Sequence, residues 1–80
     1  MGKLVFLTRV STDDYETLYL DGELILSEHR IDLVEALKVL IGHRILGITN
    51  YYIDGEVLED KYDCAFPNKL SDFDSEDLIT

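Results

Sequence analysis

Cys64 is the only thiol in the chain, and it lies in Tyr62-Asp63-Cys64-Ala65-Phe66. A nucleophilic thiol needs a cation or a helix N-terminus to hold it as thiolate, and a carboxylate next door works the other way. A lone cysteine also forms no intramolecular disulfide. His29 and His43 are 14 residues apart, which offers no i, i+3 or i+4 pair for a metal. His43 instead suits the negative end of a preceding helix. The run Asp72-Phe73-Asp74-Ser75-Glu76-Asp77 opens like a calcium loop, but it has no glycine in sixth place and no closing bidentate glutamate. Gly2, Gly22, Gly42, Gly47 and Gly55 are scattered and form no phosphate-cradling loop. The expectation is a protein without catalytic residues, cofactor or metal site, and so not an enzyme.

What remains is charge. Seventeen Asp and Glu face seven Lys and Arg, a formal net charge of −10 on 80 residues. Nucleic acids and anionic lipids are bound by clustered Lys and Arg, so this balance argues against direct contact with either. It suits a basic protein partner, including one that itself binds nucleic acid, or it serves solubility alone. From Asp54 onward nine acids stand against Lys61 and Lys69, beside Tyr62, Phe66 and Phe73, with Tyr51 and Tyr52 just before. Aromatic anchors ringed by charge are a common interface composition. Carboxylates on one side of a strand fall ~6.6–6.8 Å apart, about the axial rise of two nucleotides on one strand. Asp14 and Glu16 have that relation, and Asp54 and Glu56 are expected to straddle a turn. The candidate partner-binding residues are therefore Asp54, Glu56, Glu59, Asp60, Tyr52, Asp14 and Glu16. Tyr52 is preferred over Tyr51 because it is expected in register with Val57 across that turn.

These features suggest a small acidic binding protein that docks on a basic protein surface and blocks it, with mimicry of nucleic acid as one route. As a type, in size, charge and lack of chemistry, the chain is similar to the small acidic inhibitors of phages and mobile elements and to bacterial immunity proteins. The alternative is a structural or assembly module, homodimeric through an exposed strand edge such as 56–58.

Eighty residues make one domain, 1–80, since a single core does not divide at this size. The apolar fraction of 46% is that of a folded protein. Apolar runs reach four residues, far short of the ~20 that span a bilayer, and no leader pattern opens the chain. A cytoplasmic location follows as an expectation.

The elements expected to carry these residues are mostly strands. Lys3 to Val10 is rich in β-formers and apolar on both sides, the mark of a strand inside a sheet. Tyr15–Leu20 and Glu23–Glu28 flank Asp21-Gly22, a pair suited to a type I′ hairpin turn, which sets Leu18 opposite Ile25 and Tyr19 opposite Leu24. Asp32 to Ile41 reads as the one helix, with Leu33, Val34, Leu37, Leu40 and Ile41 as its core stripe, Asp32 and Glu35 in capping-box spacing, and Gly42 as its stop. Ile45 to Ile53 returns to strand, and Asp54-Gly55 repeats the hairpin signal with Glu56–Leu58 as the returning arm. Residues 19–25 and 52–58 match in pattern, which a shared turn explains without duplication. Asp60–Asn68 is irregular, and 69–80 is an acidic tail, frayed or gathered into one or two turns by Ser71. The expected fold is α+β: about five strands in the order β-β-β-α-β-β, one helix packed on one face. The sheet is antiparallel, or mixed if the strand after the helix runs parallel to the first.

Overall fold

The Asp21-Gly22 turn sets the centre of the molecule. In the structure, a computed structural model that describes residues 3–80, both residues have positive φ, 50° and 83°. A type I′ turn demands that geometry, and it joins β2 (Glu16–Leu20) to β3 (Glu23–Glu28). The Asp21 carboxylate also accepts from Phe6 N at 2.9 Å, and Asp21 N donates to Phe6 O at 2.9 Å, tying the turn to β1 (Lys3–Ser11). Tyr19 faces Leu24 as expected. The register then slips by one, so that Leu18 faces Leu26 and Ile25 is extruded. Such a bulge lets two residues oppose one and sharpens the local twist.

β4 (His43–Tyr52) pairs in parallel with β1, giving a mixed four-stranded sheet ordered β3-β2-β1-β4. β1 is internal, in keeping with its apolar residues on both faces. One face carries Thr8, Val10, Thr17, Tyr19, Leu24 and Tyr51; the other carries Val5, Leu7, Leu18 and Ile48. The core lies on the first face, where Val10, Tyr19, Ile53, Leu58 and Phe73 form one buried cluster. Tyr19 O–H donates to Pro67 O at 2.7 Å, which satisfies the one polar atom of this buried side chain.

Two expectations fail here. Asp54-Gly55 is not a hairpin, so there is no fifth strand at 56–58 and no dimer edge there. Asp54 has φ −64° and caps a second helix, α2 (Gly55–Tyr62), its carboxylate accepting from Glu56 N at 2.8 Å. The residues that follow, Glu56, Leu58, Glu59 and Lys61, are strong helix formers, and an Asp before such a run favours the N-cap over the turn. The pattern shared by 19–25 and 52–58 therefore encodes two different structures.

The second failure concerns α1 (Leu33–Leu40). Its limits agree with the expected helix, and Gly42 has φ 86°. Asp32 stands at the N-cap position but makes no cap hydrogen bond, and His43 opens β4 instead of serving the helix end. The stripe does not pack as expected. Ala36, Val39 and Leu40 are half-buried, whereas Leu33, Val34, Leu37 and Ile41 are 71%, 55%, 54% and 76% exposed. At 3.6 residues per turn the apolar arc spans more than half of the helix circumference, and the sheet covers only one side of it.

The tail is ordered by contacts. Two short 3-10 turns, Leu70–Asp72 and Ser75–Asp77, place Phe73 in the core. Lys61 Nζ holds Asp74 and Asp77 at 2.8 Å each, and Tyr52 and Ile79 exchange backbone hydrogen bonds of 2.7 and 2.9 Å.

Candidate functional site

The turn between β1 and β2 and the start of α2 form one end of the molecule. Thr12 N donates to Tyr15 O at 2.9 Å, closing a turn that projects Asp13 and Asp14. Gly55 lies against this turn: a Cβ there would sit 3.6 Å from Thr12 Oγ1 and 3.8 Å from an Asp13 carboxylate oxygen. Beyond α2 the chain reverses through Asp63 and Cys64, with φ of 54° and 62°, and Cys64 N donates back to Leu58 O at 3.1 Å. That reversal folds Ala65 and Phe66 under the helix, where Phe66 stacks on Tyr15 at 5.8 Å.

Between these segments lies an open pocket of about 540 Å³. Leu24, Leu58, Ala65, Phe66 and Tyr15 supply an apolar floor and wall, and Asp13, Asp14 and Glu59 stand among its lining. Among the described residues, no Lys or Arg lines it. Cys64 is also part of the lining and is exposed. Among the described residues, no group of three or more His, Cys, Asp or Glu is placed to hold a metal ion.

Of the expected contact residues, Asp14 and Glu59 meet at this pocket. Tyr52 stands behind it, donating its hydroxyl to Asp13 at 2.6 Å, a bond that holds the phenol proton and raises its pKa. The register with Val57 that favoured Tyr52 does not exist, because Val57 is helical. Tyr51 packs against the core cluster. Glu56, Glu59 and Asp60 share one side of α2 by their i, i+3 and i+4 spacing. Asp54 is spent as the helix cap.

Glu16 is not part of the site. It points to the opposite face of the sheet, 3.1 Å from Arg9, and accepts from Ile31 N at 3.1 Å. With Glu16 engaged and Asp54 and Glu56 in a helix start, the strand-spaced carboxylate array expected from the sequence is absent. Among the pocket residues not singled out in the sequence are Asp13, Tyr15 and Leu58. An Asp13-Asp14 pair in a polar turn was a legible signal for the first, but Leu58 joins only through the unexpected helix.

Two carboxylates outside the pocket lining titrate away from their ordinary values. Lys61 and then Tyr62 hydrogen-bond the Asp77 carboxylate and hold it below the usual carboxylate range. A lowered carboxyl pKa contributes stability that is present above the ordinary value of 3.8 and is lost as pH falls through the lower folded value. Glu28 behaves oppositely. A hydrogen bond shared with Glu35 across β3 and α1 raises it above 4.5, so acidification through that window relieves repulsion there. Amide exchange recorded against pH should therefore show protection at Tyr52, Ile79 and Asp74 falling below about pH 3.8 before the β1–β2 amides open. Lys61→Met should abolish that separate step; protection lost everywhere together would contradict it.

No family model matches the chain, and no curated protein or solved structure matches it either. Among the described residues, no helix is long and apolar enough to cross a membrane.

Proposed function

We propose that the protein is a non-enzymatic binding protein that docks on a basic protein surface, receiving an Arg or Lys side chain in the pocket between the β1–β2 turn and α2. The observation that carries this reading is the pocket's composition: an apolar floor of Leu24, Leu58 and Phe66 with Asp13, Asp14 and Glu59 around it and, among the described residues, no cation. Lys and Arg are amphipathic, with alkyl stems that lie on apolar surface and charged heads that seek carboxylates. Asp13, Asp14, Glu56, Glu59 and Asp60 have no ion-pair partner among the described residues, which leaves their field available to steer a cationic partner. Lys61, in contrast, is neutralised by Asp74 and Asp77 and does not weaken that field.

Titration with a short arginine-containing peptide, followed by amide chemical shifts, tests the reading. Shifts should concentrate at Asp13–Tyr15, Leu58–Glu59 and Ala65–Phe66 and should shrink as salt rises. Equal shifts along the separate acidic run Asp72–Asp77 would show general charge attraction and overturn the pocket as receptor.

A further inference from the structure

The opposite side of the molecule has a different character. From Ala36 to Ile53 the chain contains no acid, in a protein with 17 of them, and carries Lys38 and Arg44. This stretch includes most of α1 and all of β4 to its end, and it holds much of the exposed apolar surface. Leu37 and Ile41 are 54% and 76% exposed, and Ile45, Leu46 and Ile48 are 36%, 56% and 64% exposed. Leu4 and Phe6 of β1, beside Arg44 and Gly47, are exposed as well, but on the other face of the sheet, with Thr8 and Val10. Glu35, on the polar side of α1, meets Glu28 of β3. The line Leu33–Leu37–Ile41 lies on the other side of the helix and is open to solvent.

β4 also has a free edge. Tyr52 directs its backbone groups outward to Ile79, and Ile53 N turns inward to Ser11 O at 2.9 Å. Alternation along the strand then turns the N–H and C=O of Ile48 and Asn50 outward as well, and among the described residues nothing pairs with them. The start of β3, at the other edge, is covered: Leu24 N donates to Asn68 O and Leu70 N to Gly22 O. An apolar edge strand left open is a template for another strand.

We infer that β4 and the exposed side of α1 form a homodimer interface, in which the β4 edges of two copies pair antiparallel about a twofold axis. Three observations select a second copy over other occupants. The outward groups of Ile48 and Asn50 are self-complementary, so two copies centred near Thr49 satisfy each other's donors and acceptors. Ile79 already occupies Tyr52, which stops the ladder at that end and closes the assembly at two. Charge agrees: on a molecule of net charge −10 this is the surface where two copies approach without bringing carboxylates together. The interface lies away from the acidic pocket, so it does not depend on the function proposed above.

Sedimentation velocity and light scattering from about 1 to 500 μM test this. The wild type should run as twice 9.2 kDa, with no loss of dimer in 1 M salt, because apolar contacts are not screened. Leu37→Glu and Ile48→Lys, both at exposed positions, should weaken association at least about a hundredfold while leaving the circular dichroism unchanged. Should Ile48→Lys disturb β4, Val34→Lys on the helix gives the same reading. Converting Asp54, Glu56, Glu59 and Asp60 together to Asn or Gln should leave the dimer intact while weakening peptide capture at the pocket, which separates the two surfaces. A monomeric wild type at 500 μM, a mass that keeps rising with concentration, or folded variants that remain dimeric would each overturn the inference.

Discussion

Phe73→Ala should cost about 3–5 kcal/mol, a large part of what a domain of this size has to lose. Phe73 is 7% exposed and sits edge-on to Tyr62, Tyr19 and Phe66 at 5.0, 6.2 and 6.3 Å. Its removal opens a cavity walled by three aromatic rings whose own positions are tied elsewhere, by Tyr19 to Pro67 and by Tyr62 to Asp77. Those anchors limit collapse into the void, which places the cost high in its range. Leu37→Ala is the contrast. A helical stripe read alone makes Leu37 a core residue worth ~2–5 kcal/mol, but it is 54% exposed. Its replacement should cost under about 1 kcal/mol in the monomer, with any further loss rising with protein concentration. Urea titration of both variants at low concentration decides the point, and equal midpoints would show that the core has been assigned to the wrong face.

Converting Asp54, Glu56, Glu59 and Asp60 together to Asn or Gln should slow association with an arginine-rich peptide on the order of tenfold and flatten its salt dependence. The change moves the formal charge from −10 to −6; Glu56, Glu59 and Asp60 lie in α2 and Asp54 caps it. Asn at position 54 keeps the cap on Glu56 N, so the helix should survive with its melting temperature nearly unchanged. Single neutralisations should be almost silent, since one exposed charge contributes only ~0.2–1 kcal/mol. A quadruple variant with unchanged rate and salt slope would mean that the acids serve solubility alone, and the proposed function would then fall.

The legible parts of the fold were those specified by neighbouring residues. Asp21-Gly22 between alternating apolar runs defined a hairpin, and Gly42 after an apolar helix defined its stop. β1 announced its internal position by being apolar on both faces. What failed depended on longer range. Asp54-Gly55 carries the same local signal as Asp21-Gly22, and only the helix formers that follow decide between turn and cap. The bulge at Ile25 has no local mark, because a one-residue slip is settled by how the two strands twist together. At the site, the acid-rich end of the chain was visible from composition, and Asp14 and Glu59, two of the acids singled out there, line the pocket. Their convergence was not visible, because it needs α2 as well as the reversal through Asp63 and Cys64. Glu16 looked equivalent to Asp14 in sequence; strand alternation sends it to the other face and to Arg9.

The parallel pairing of β1 with β4 dictates how the chain can fold. β1, β2 and β3 are joined by short turns and can meet through local encounters, yet they contribute only Val10 and Tyr19 to the buried cluster. Ile53, Leu58 and Phe73 all arrive after β4, and β4 reaches β1 only by closing a loop from Lys3 to His43. That closure has an entropic cost before any core contact offsets it, so the barrier to folding lies at the docking of β4. A nascent chain that has emerged only to Gly42 is then a meander with one wet apolar helix and most of its core still to come. The productive step is a late, cooperative one in which strand, helix and tail settle together, and the rate of that step limits how long Leu33, Leu37 and Ile41 stay exposed to the wrong partners.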